Sequence, residues 1–75
     1  MVLSFPEYQA LKAHLAAGGL SPIHMVDACG GQYFTLEQPD EPTLQALRDY
    51  FAPMGARPDF TDENTHFVLL DVKED

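Results

Sequence analysis

Apolar residues follow a helical period twice and a strand period twice along this chain. In the first stretch Tyr8, Leu11 and Leu15 recur three and four positions apart, which puts them on one face of a helix. The run Ser4-Phe5-Pro6-Glu7 just before them is a capping box with proline in the first turn, where its missing N–H costs nothing. Gly18 and Gly19 supply the left-handed stop. The period then changes. Ile23 to Cys29 and Gln32 to Glu37 read as strands joined by a Gly30-Gly31 turn, with Met25 opposite Leu36, Asp27 opposite Phe34, His24 opposite Glu37 and Val26 opposite Thr35. A second helix follows, with Asp40 as cap, Pro42 in its first turn, a stripe of Leu44, Leu47, Phe51 and Met54, and Gly55 as stop. After Pro58 a short strand over Asp59 to Asp62, a turn at Glu63-Asn64 and a long strand from Thr65 to Lys73 complete the pattern.

The second half echoes the first at an offset of 36 residues. Pro6, Gln9, Ala10, Leu11, Ala16, Gly19 and Pro22 recur as Pro42, Gln45, Ala46, Leu47, Ala52, Gly55 and Pro58. The expected fold is therefore α+β, ordered αββαββ. It is one domain over residues 1–75 built from repeats 4–37 and 40–73. Its four-stranded antiparallel sheet carries both helices on one face, with the strand order open.

Two helices cover one face of such a sheet, and Ile23, Met25, Phe34, Leu36, Phe60, Phe67 and Leu69 are assigned to it. The opposite face then holds Val26, Ala28, Tyr33 and Thr35 with His66, Val68, Leu70 and Val72, which is too apolar for a water-facing antiparallel surface. A strand reading Phe67-Val68-Leu69-Leu70 expects cover on both sides. Val26, Tyr33, Thr35, His66, Val68, Leu70 and Val72 are thus candidate interaction residues, and self-association as a homodimer is the first expectation. Cover by Met1 to Leu3, or by tilted helices, is the structural alternative.

Charge narrows the choice of partner. The 75 residues hold twelve acids and four bases, a formal net charge of −8, with ten of the acids from Glu37 onward. Lys12, Arg48, Arg57 and Lys73 are scattered, so nothing resembles the basic patch that binds nucleic acid or an anionic membrane. The expected partner is a protein, either a second copy or a basic one. Glu37, Asp40, Glu41, Asp49, Asp59, Asp62 and Glu63 carry a rival expectation, in which an acidic stripe imitates nucleic acid and blocks a basic nucleic-acid-binding protein, as a phage or anti-defence inhibitor does.

Chemistry finds less support. Cys29 beside Asp27 and two glycines is the one candidate for thiol or redox chemistry, yet its acidic neighbour disfavours the thiolate. Asp59, Asp62, Glu63, Asn64 and His66 offer oxygen and nitrogen donors but match no calcium-loop spacing. No phosphate loop, nucleophile elbow or H-E-x-x-H motif is present. The expectation is a non-enzyme without cofactor or metal. A single cysteine and no leader or membrane-spanning run point to the cytoplasm.

The stretch from Ile23 to Glu37 resembles the central segment of a group of small bacterial proteins named for an Arg-Asp-Ala-Cys motif. Asp27, Ala28 and Cys29 match the motif, and Val26 stands where it has arginine. The resemblance implies the same order of helix, hairpin, helix and strand, and it implies no activity.

Overall fold

A computed structural model describes residues 1–28, 31–61 and 63–72. The order is α1 (Phe5–Ala17), β1 (Ile23–Ala28), β2 (Gly31–Leu36), α2 (Glu41–Phe51), a short 3-10 turn (Ala52–Met54), β3 (Ala56–Thr61) and β4 (His66–Asp71). Two helices and a four-stranded antiparallel sheet make this an α+β fold, and the strands lie in the order β1-β2-β4-β3.

Both helices begin where cap chemistry places them. In α1 the Ser4 N–H donates to Glu7 Oε1 at 2.8 Å and the Glu7 N–H to Ser4 Oγ at 3.3 Å, completing the box. In α2 the Asp40 side chain accepts from the Thr43 N–H at 3.1 Å. The ends differ. The left-handed residue after α1 is Gly19, at φ 67°, whereas Gly18 keeps φ −89°. Helix α2 stops at Phe51 because Pro53 has no N–H for the next turn and its ring crowds the preceding carbonyls. The tighter turn that follows swings Met54 out to 49% exposure, so it leaves the expected stripe, and Gly55 at φ 72° ends the element.

The first hairpin departs from expectation by two residues. Ile23 lies opposite Leu36, His24 opposite Thr35, Met25 opposite Phe34, Val26 opposite Tyr33, Asp27 opposite Gln32 and Ala28 opposite Gly31. This register matches apolar with apolar along the core face and sets Asp27 against Gln32, whereas the expected one forced the Asp27 carboxylate against Phe34. A slip of two keeps every side chain on its assigned face. Cys29, the expected end of the first strand, and Gly30 of the expected turn lie outside the described residues, and Gly31, at φ 134°, opens β2.

Strand β3 starts three residues before the expected Asp59. Pro58 sits inside it, opposite Leu69. An edge strand tolerates proline because only one side of it is paired, and β3 is an edge. Glu63 and Asn64 both have positive φ, 59° and 69°, and form the turn as expected. Strand β4 ends at Asp71, although the Val72 N–H still donates to the Gly55 carbonyl at 2.8 Å. Asp62 and Lys73 lie outside the described residues.

The offset of 36 aligns the starts of the helices, Phe5 with Glu41, and lapses in the sheet, where Ile23 maps onto Asp59 but β3 begins at Ala56.

One cluster of buried residues joins Tyr8, Leu11 and Leu15 of α1 with Leu44, Leu47 and Phe51 of α2 and with Ile23, Phe34, Leu36, Phe67 and Leu69 of the sheet. Phe34 and Phe67 stack across the β2–β4 seam with ring centroids 4.9 Å apart. Met25 and Phe60, also assigned to this face, are half-buried against the cluster. Buried Ser21 links three segments: its N–H donates to Thr43 Oγ1, and its hydroxyl donates to the Pro22 carbonyl and accepts from the Gln38 N–H. Among the described residues no buried side-chain nitrogen or oxygen lacks a partner.

Candidate interaction face

Alternation along the strands separates the core residues from a second set. Val26 and Tyr33 on the first hairpin, Val68 and Leu70 on the last strand, and Val72 just past its end belong neither to the buried cluster nor to the apolar residues packed against it. Leu70 is 36% and Val72 46% exposed. Val26, Tyr33, Thr35, His66 and Val68 are half-buried. The side chain of Ala28, assigned to the same face, lies outside the described set.

Registers across the sheet order this outer face into rows. One row crosses all four strands as His24, Thr35, His66 and Thr61. It is polar throughout. Tyr33 contacts the His66 ring at a centroid distance of 5.8 Å, and Thr65 Oγ1 lies 2.9 Å from His66 Nδ1. Toward the other end of the strands the face becomes apolar at Val26, Tyr33, Val68 and Leu70, bordered at the β3 edge by Asp59 opposite Val68 and Arg57 opposite Leu70. A shallow depression of about 380 Å³, lined by Tyr33, Thr61, His66 and Val68 among others, marks the middle of this surface.

The amino-terminal residues sit on the other side. Leu3 is buried in the core cluster, and the Gln32 amide clamps it by accepting from the Leu3 N–H and donating to the Leu3 carbonyl, both at 2.9 Å. By alternation with Phe34, Gln32 belongs to the core face. The Met1 amine reaches the Leu69 carbonyl at 3.2 Å and Asp71 Oδ1 at 3.3 Å. Met1 to Leu3 therefore do not roof the outer face.

The acids divide by role. Glu37 Oε2 lies 2.8 Å from His24 Nε2, a diagonal contact in the observed register, and Asp49 accepts from Gln45. Asp40 caps α2, and the Thr43 hydroxyl and N–H hold its carboxyl below the ordinary aspartate value. Glu7 is likewise lowered, by the Ser4 backbone N–H first and the hydroxyl second. Glu41 in the first turn of α2, Asp59 on β3 and Glu63 in the β3–β4 turn lie on three different elements. Asp62 is outside the described residues. Among those described, no group of three His, Cys, Asp or Glu gathers as metal ligands.

Sequence reasoning missed Arg57, Asp59 and Thr61 as outer-face neighbours. The available signal is the alternation running back from Phe60 through Pro58, which puts Arg57, Asp59 and Thr61 on the face opposite Phe60. Compared with protein-family models, curated proteins and solved structures, the chain matches nothing. Function has to be read from the chain's own geometry. No described helix is long and apolar enough to cross a membrane.

Proposed function

We propose that this protein is a non-catalytic, cytoplasmic interaction module that pairs with a second copy of itself through the outer face of its sheet, the helices lying on the opposite side. One observation carries the reading: Val26, Tyr33, Val68, Leu70 and Val72 share a face, stand apart from the core, and are not covered by the amino-terminal segment available to do so. A chain of this length buries only about 60% of its unfolded surface, so further burial by association adds usefully to its stability.

Size sets the strength. Four strands about 4.8 Å apart and six residues long at about 3.3 Å each give a flat face of about 400 Å², half the roughly 800 Å² per partner of a standard stable interface. The dimer is accordingly weak, with a dissociation constant in the range of about 1 μM to 1 mM. The polar row at one end fixes orientation, while Val68 and Leu70 supply the apolar contact.

Sedimentation equilibrium tests this directly. The unmodified chain is expected to shift from monomer to dimer as its concentration rises, and the double change Val68→Glu and Leu70→Glu to remain monomeric. A chain that stays monomeric at millimolar concentration would end the proposal. The acid-stripe alternative draws no support from the geometry, because Glu37, Asp40 and Asp49 already hold internal partners.

A further inference from the structure

We infer that the open groove between the end of α2 and the β3 edge binds a small oxyanion, a phosphate monoester or a carboxylate, carried on an apolar group. The groove has a volume of about 650 Å³ and is lined by Arg48 and Arg57 together with Pro53, Met54, Gly55 and Val72. That volume falls among small-molecule clefts.

The cations carry the inference. Lys12, Arg48 and Arg57 are the lysines and arginines among the described residues, and two of the three line this one groove. The chain has twelve acids. Even so, the ion pairs among the described residues go to the Met1 amine and to His24, and neither arginine has a described carboxylate within 4.0 Å. Two arginines without a described carboxylate partner at a single concavity make it a local positive patch on an acidic chain, which suits an anion from outside.

Position adds to this. The Arg48 guanidinium lies over the Phe60 ring at 5.5 Å, and a stacked guanidinium keeps its N–H edge free. Arg57 projects from an exposed edge strand with only Leu70 opposite it. Two planar donor forks suit the paired oxygens of a phosphate or carboxylate. Met54 and Val72 are exposed apolar side chains on the same rim, which suits the carbon body of the ligand. Lys12, by contrast, lies over Tyr8, outside the groove.

The test is a titration of the 15N-labelled full chain with phenyl phosphate, with benzoate and inorganic phosphate run in parallel. Phenyl phosphate, benzoate or both are expected to shift the amides of Gly55, Ala56 and Arg57 along saturating curves with one midpoint, and whichever binds more tightly identifies the oxyanion. Inorganic phosphate should bind about tenfold more weakly, for want of the apolar contact. Arg57→Gln, which disturbs no packing, should raise the midpoint about fivefold or more, Arg48→Gln should do the same, Arg48→Lys should raise it less, and Lys12→Gln should leave it unchanged. Linear shifts that never saturate with either aromatic ligand, an unchanged midpoint in Arg57→Gln, or equal binding of inorganic phosphate would each overturn the inference. Because Arg57 borders the proposed dimer face and Val72 lies beside it, the titration is run at a protein concentration where sedimentation shows monomer only, so its outcomes are separate from self-association.

Discussion

Strand β4 carries two nearly equivalent apolar pairs that meet opposite fates. Phe67 and Leu69 are 0% and 7% exposed and belong to the core, whereas Val68 and Leu70, one step along the same backbone, stay outside it. The backbone and its register serve both pairs alike, so the difference lies in cover. Both helices and Leu3 contribute side chains to the cluster around the first pair. Hydrophobicity along a strand therefore states a demand for burial without stating whether this chain or another molecule meets it.

Truncating one residue from each pair gives the largest contrast. Phe67→Ala removes a ring stacked on Phe34 and should cost about 3–5 kcal/mol, leaving a domain this small largely unfolded in a urea titration. Val68→Ala, at protein concentrations too low for association, should cost less than about 1 kcal/mol. Equal losses would show that the two faces are equally packed. At high concentration the Val68→Ala change should also raise the dissociation constant, which separates its folding role from its binding role.

Smaller effects sharpen the same contrast. Gln32→Ala deletes both hydrogen bonds to the Leu3 backbone and should cost about 1–2 kcal/mol, with faster hydrogen exchange at the Leu3 amide. An unchanged exchange rate would mean that the clamp does not hold the segment on the core side. Gly55→Ala touches neither face. No atom lies within 4 Å of the added methyl, so only the left-handed φ of 72° is penalised, by about 1 kcal/mol in thermal unfolding.

Acid gives the mildest change. Glu7 and Asp40 have folded-state pKa values lowered by their caps, so the stability they contribute is present above the unfolded values and is lost as pH falls through the folded ones. Circular dichroism should show the melting temperature declining across that acidic window, and Glu7→Gln should remove its share of the decline.

The helix starts were legible because a cap is local chemistry: Ser4 to Glu7 and Asp40 to Thr43 each close within three residues. Fold class and the core-facing strand positions were legible from periodicity, which survives a slip of two. The hairpin register was not, since adjacent glycines accept either turn and only the pairing of Asp27 with Gln32 decides. Pro58 hid three residues of β3 because its tolerance depends on edge position, a tertiary fact. The Gln32 clamp and the meeting of Arg48 with Arg57 join residues distant in sequence, and no spacing announces them. The strand order, left open by the sequence, has the same origin.

Pro58 also limits how copies can assemble side by side. A strand arriving along β3 finds a ring where it needs an N–H, while the opposite border of the sheet, β1, contains no proline. Lateral growth is thus one-sided: two molecules joined border to border through β1 leave only proline-bearing rims facing outward. Such a pair closes on itself, and runaway stacking into fibres is denied a template.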